Sequence, residues 1–267
     1  MIADSLFRRE GDYIVATERS RGPWVDDALH GGPTAALLVD LCESEPSMVP
    51  MQTTRLTVEL LSAVPMTPLR PELKVVRDGK RIRLIEADLF AGDRRVASAR
   101  LAQIRTTKLV LPSETPEHEG PRVADVLKPI DSHRSLPPGA DDTVRFHSHS
   151  TEHRFAEGTW IDNGPVFDWI RLLVPVFPGA AISPTVRVVA VSDFGNGVSA
   201  PLPFDSWLFI NPDLSIHLHR MPVGEWIGLE AHCHVEANGI GQSNAELHDQ
   251  QGHLGHANQS LLLDDQR

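Results

Sequence analysis

Three polar side chains, distant in sequence, have the types that together can hold and activate a water molecule. They are Asp193 in Val191-Ser192-Asp193-Phe194, Asn211 in Phe209-Ile210-Asn211-Pro212, and Gln259 in Ala257-Asn258-Gln259. A carboxylate can take a proton from water while neighbouring amides orient it. Asp193 closes the apolar run Val186 to Val191, which places it at a mostly buried helix end, where a carboxylate facing nothing polar is costly. Asn211 is expected to open a later strand and Gln259 to lie in the last one. The residues alone also permit a plainer reading, a helix-end cap and two strand amides satisfied locally. A second group is His30-Gly31-Gly32 ahead of an apolar helix. Backbone N–H groups at a helix start can donate to developing negative charge, and glycines let a ligand come close. His30 either donates to the same charge or caps the loop. Arg77 heads a basic turn with Lys80, Arg81 and Arg83, a set suited to phosphate or to a merely solvated hairpin.

Other chemistries lack their residues. There is no Gly-x-Ser-x-Gly elbow and no Gly-x-Gly-x-x-Gly turn for a dinucleotide. Cys42 and Cys233 have no metal or redox spacing. His217/His219 and His232/His234 each share a strand face, yet no carboxylate or cysteine stands with them at motif spacing. No metal and no cofactor is therefore expected. A formal net charge of −11 argues against nucleic acid as the main partner. No run of eighteen apolar residues suggests a membrane span, and the first residues lack a signal-peptide pattern. A cytoplasmic location is the expectation.

These residues must be positioned by helices and strands that the sequence marks. Pro33 and Pro184 each open an apolar run, Thr34 to Cys42 and Thr185 to Val191, as proline does at a helix start. Residues 1–20 read as an opening strand. Leu56 to Leu60, Glu72 to Val76, Ile82 to Phe90 and Val96 to Ile104 alternate as a meander. A Pro-rich stretch follows, including Leu111-Pro112 and Leu136-Pro137-Pro138-Gly139, and reads as linker. Beyond it the pattern repeats: a strand over Thr143 to Phe155, an apolar segment from Phe167 to Phe177 that reads as helical at first, the second helix, and a second meander ending in Leu254 to Leu263. Gly79 pairs with Gly239 and Gly92 with Gly252, each 160 residues apart. The division is 1–110, a linker at 111–142, and 143–267.

A long apolar helix wrapped by a curved antiparallel sheet, twice in one chain, is an α+β double hotdog. At this point the sequence resembles the acyl-CoA thioesterase II family and its thioesterase-like relatives. The resemblance covers nearly the whole chain and is carried by His30-Gly31-Gly32, Val76-Arg77-Asp78-Gly79, Ser192-Asp193, His219-Arg220 and Gln259. In that family an Asp on the second helix, a Ser/Thr-type hydroxyl at the start of the next strand and a Gln in the last strand hold the attacking water. The resemblance carries these roles to Asp193, Asn211 and Gln259, with an amide at Asn211 where the family has a hydroxyl. It implies hydrolysis of an acyl-CoA to free acid and coenzyme A. The basic turn from Arg77 could then grip the phosphates, and the acyl tunnel would run beside the second helix, lined by groups such as Phe194, Phe209 and Trp207. The resemblance also implies a homo-oligomer. Two rivals share the scaffold. A non-catalytic acyl-CoA-binding protein would tolerate Asp193→Asn. An enoyl-CoA hydratase would pair its Asp with a nearby His, and no His follows Asp193 at a fitting place.

Overall fold

The run after Pro33 folds as α1 (Gly31–Ser44), entered from His30 in extended conformation. Leu37, Leu38 and Val39 are all fully buried, so α1 is covered all round. The second run is α2 (Pro184–Ser192), where the Val186 N–H donates to the Ser183 side chain at 3.1 Å and proline sets the first turn. Four of its residues are valines, which cost a few tenths of a kcal/mol each in a helix. Burying each contributes about 1.5–3 kcal/mol, so packing decides. The helices run antiparallel against each other. At one end a Cβ on Gly32 would stand 2.5 Å from the Ala190 carbonyl oxygen, a closeness only glycine allows. At the other, the Ser183 hydroxyl donates to Glu43 at 3.4 Å. This computed structural model describes residues 3–115 and 142–265, and most of the expected linker lies outside them.

The strands are β1 (Phe7–Glu10), β2 (Tyr13–Ala16), β3 (Met51–Leu60), β4 (Leu69–Asp78), β5 (Ile82–Ala91), β6 (Arg94–Arg105), β7 (Thr151–Glu157), β8 (Val166–Leu172), β9 (Trp207–Ile210), β10 (Asp213–Leu218), β11 (Trp226–Val235), β12 (Ile240–Asp249) and β13 (Gly252–Asp265). All pairings are antiparallel, in the order β1-β2-β4-β5-β6-β3-β10-β13-β12-β11-β8-β7, with β9 beside the end of β13. The order reads the same outward from the β3–β10 junction, where Leu56 faces Ile216. One face of this sheet packs on the two helices. No helix among the described residues is long and apolar enough to cross a membrane.

Several local expectations change. The opening strand is a hairpin, turned at Gly11 with φ 61°. Residues 166–172 are strand β8, not helix. Their side chains are buried on both faces, a pattern that a short apolar run shares with a core helix. The strand expected over Thr143 to Phe155 begins only at Thr151, after a wide helical turn at Phe146–Ser150. Asn211 does not open a strand. It sits with Pro212 in the break between β9 and β10.

Candidate active site

Asp193 follows α2 as its capping residue and is only 4% exposed. A carboxylate buried to this degree needs donors, and three reach it. The Asn211 amide donates to Oδ1 at 2.9 Å and the Gln259 amide to the same oxygen at 3.2 Å. His30 Nδ1 lies 2.8 Å from Oδ2. The break between β9 and β10 is what turns Asn211 inward, and its second N–H donates to the Asp213 carbonyl at 3.1 Å. Gln259 donates also to the Asp193 carbonyl at 3.3 Å and accepts from the Asn196 N–H at 3.2 Å. Acceptors around both amide nitrogens fix which end of each side chain is nitrogen.

The carboxylate rests on the start of α1. A Cβ at Gly31 would meet Asp193 Oδ2 at 2.6 Å and Oδ1 at 2.7 Å, so no other residue fits there without moving the acid. His30 Nδ1 is also 3.1 Å from the Gly32 nitrogen. One ring nitrogen carries either a proton or a lone pair. When Asp193 is ionised, Nδ1 must carry the proton it donates to Oδ2. The Gly32 N–H then has no lone pair on the ring to meet and keeps its donor capacity, at the positive end of α1. His30 thus joins the acid instead of reaching for a substrate oxygen through Nδ1. Its ring is packed between Phe146 and Phe194, with centroids at 5.0 and 4.9 Å.

Asp193 opens onto a cavity of about 790 Å³, the size of small-molecule sites. Asp193, Asn211, His30, Gly31, Phe194 and Phe209 line it. Gln259 stands behind the acid, out of the lining, and Gly32 faces Ala190. Arg77 is exposed near the end of β4 and does not line the cavity. Of the basic turn, Arg83 is buried and held by Asp78, the Glu45 carbonyl and Gln103, so the turn is not the set of free cations its sequence suggests. Trp207 is also absent from the lining, its neighbour Leu208 taking that place.

Among the lining residues that the sequence did not single out are Arg145, His147 and Trp160. Arg145 donates to the Gly22 carbonyl at 2.8 Å and pairs with Asp26 at 2.7 Å. Burial pushes the half-buried His147 down to about 3, helped by the nearby His30, His153, Arg145 and His149. Trp160 Nε1 is buried with no hydrogen-bond partner among the described residues. The only hint in the sequence was the density of His147, His149 and His153. The strand histidines instead stack across the sheet, His217 on His256 and His219 on His253, with centroids at 5.3 and 5.2 Å. Among the described residues no three His, Cys, Asp or Glu side chains are placed to hold a metal.

A large antiparallel sheet backed by helices is the architecture of hot dog proteins. Solved structures bear this out at the level of fold. A hot dog protein of unknown function from Alicyclobacillus acidocaldarius aligns with TM-score 0.73 at 16% identity, covering 98% of this chain and 97% of that one. A candidate thioesterase from Novosphingobium aromaticivorans DSM 12444 gives 0.72 at 19%, covering 98% and 100%. An acyl-CoA thioesterase II from Mycobacterium marinum gives 0.62 at 13%, covering 97% and 94%. No curated protein matches the sequence. Family models do match it: the acyl-CoA thioesterase N-terminal domain over residues 20–104 and the C-terminal domain over residues 122–263. The chain belongs to the acyl-CoA thioesterase family.

Proposed function

We propose that this protein hydrolyses an acyl-CoA thioester to a free acid and coenzyme A, with Asp193 as the base. The observation that carries the reading is the Asp193 carboxylate, held by three donors at the cavity wall and seated on the start of α1. Both N–H groups of Asn211 and both of Gln259 are engaged by protein acceptors. A water at Asp193 therefore meets acceptors: the remaining lone pair of Oδ2 and the Asn211 side-chain oxygen. Donating both protons leaves its own lone pairs toward the substrate. The water oxygen attacks the thioester carbon as its proton passes to Asp193. The positive end of α1, where Gly31 lines the cavity, supports the oxygen that gains charge. Collapse breaks the C–S bond, and the departing thiolate recovers the proton from Asp193.

Gln259 acts in this scheme by holding Asp193 and the chain after α2, not by touching water. Arg145, in the cavity lining, takes the anion-binding part that the sequence assigned to Arg77. The apolar wall, with Phe194, Phe209 and Leu208, takes the acyl group. The mirrored strand order supports a double hotdog, one unit in 1–110 and one in 143–267, with the cavity lined from both. The test is thiol release by the wild type from short, medium and long acyl-CoAs. Turnover concentrated in one chain-length class is expected. Tight acyl-CoA binding with no thiol release would mean that the amide at Asn211 has left a binding protein on this fold.

A further inference from the structure

The His147 side chain has no role in the hydrolytic scheme, yet it lines the same cavity as Asp193 and lies near His30. Its backbone belongs to the wide turn Phe146–Ser150, and that turn is held by a buried chain of side chains. Asp168, fully buried in β8, meets His153 Nδ1 at 2.6 Å. His153 Nε2 lies 3.0 Å from the Thr151 hydroxyl. That hydroxyl reaches the carbonyls of His147 at 3.1 Å and Phe146 at 3.3 Å. The Arg154 N–H donates to the second Asp168 oxygen at 3.1 Å. Thr151, His153 and Asp168 are each no more than 1% exposed. The His153 ring also stands edge-on to Phe194, with centroids 4.7 Å apart. This chain of side chains resembles a hydroxyl–imidazole–carboxylate triad, but its hydroxyl is sealed from the cavity and engaged with backbone carbonyls. It serves to fix where His147 stands.

We propose that His147 is a further catalytic residue, a neutral imidazole that donates a hydrogen bond to the thioester as charge develops on it. The inference rests on the thioesterase reading. It gives the reaction a second donor near His30, in the same cavity as Asp193. A neutral ring suits this role, because it keeps its N–H at every pH where the acid can work and adds no cation beside His30. Burial and the surrounding imidazoles and guanidinium keep it in that form. A donor aimed at developing charge typically contributes about 10²–10³ in rate.

The experiment compares wild type, His147→Ala and His147→Gln on the best acyl-CoA of the panel. Binding of a non-hydrolysable thioether analogue of the same substrate is measured in parallel. Glutamine keeps an N–H donor while losing the ring. His147→Ala is expected to lower kcat about a hundredfold with analogue affinity changed less than about threefold, and His147→Gln to recover at least tenfold of the loss. A His147→Ala protein that turns over within about threefold of wild type overturns the inference alone. Equal loss of kcat and of analogue binding, unrelieved by glutamine, also overturns it, since that pattern belongs to a structural residue. Absence of thiol release in the wild type removes the hydrolytic reading itself, and this inference with it.

Discussion

The two ends of the α1–α2 pair carry similar parts and put them to different uses. At one end Asp193 follows α2 and faces the start of α1. At the other, Glu43 near the end of α1 faces Ser183 at the start of α2. Each acid has a polar partner from an irregular strand position: Asn211 in the β9–β10 break, and Thr53, which donates to Glu43 at 2.6 Å beside a bulge in the β3–β6 pairing. Each end also draws an amide from a last strand, Gln259 from β13 and Gln103 from β6. At the Glu43 end, however, Arg83 occupies the interior. It is 2% exposed and meets Asp78 at 3.1 Å, the Glu45 carbonyl at 3.0 Å and Gln103 at 3.4 Å. β3 also runs unbroken from Met51 to Leu60. At the Asp193 end the chain breaks at Asn211-Pro212, and residues of that break line the cavity. An acid at a helix end is common to both. A cavity in front of it, and a glycine under it, belong to one.

Four substitutions sharpen this contrast. Arg83→Ala removes the cation that fills the closed end, leaving its amide and carbonyl partners unmet. It should cost about 3 kcal/mol in urea unfolding, somewhat below a wholly buried pair because Asp78 is half exposed. Activity per folded molecule should stay near wild type. Gly31→Ala attacks the open end, since the new methyl displaces the carboxylate. About a hundredfold loss of thiol release is expected with the fold retained by circular dichroism. Asn211→Ala should lower turnover about tenfold by removing one donor to Asp193. Asn211→Thr should lie between it and wild type if the amide acts through its water-facing oxygen.

The smallest effect is in acid. His147 titrates near 6.5 in the unfolded chain and at about 3 when folded, so the unfolded state takes up its proton first. Stability is therefore lost as pH falls from about 6.5 toward 3. His147→Gln has no such group and should lose about 1–2 kcal/mol less than wild type between pH 6.5 and 4, allowing for the ring's partial exposure. Denaturant midpoints at the two pH values measure it.

Much of this arrangement was legible in the sequence because it rests on local signals. Pro33 and Pro184 marked both helix starts, and alternation marked most strands. Asp193, Asn211 and Gln259 do converge. What escaped depends on contacts between distant segments. Residues 166–172 form a strand because both faces meet other structure, which the apolar run cannot reveal. The turn bearing His147 is fixed by His153 and Asp168 and by contacts to residues near 20, such as the Arg145 bond to Gly22. Arg83 looks in sequence like its neighbours Arg77 and Arg81, and only the bulged pairing of β4 with β5 and the end of α1 bury it. Charge on a hairpin says little about whether the charge meets solvent.

The central claim, that one end of the helix pair is catalytic and the other is not, is tested most directly by Asp193→Asn and Glu43→Gln, assayed side by side for thiol release. Asp193→Asn is predicted to lose at least about a hundredfold in kcat, as removal of a general base does, while Glu43→Gln stays within about threefold of wild type. Equal losses in the two variants, or full activity in Asp193→Asn, would contradict the account.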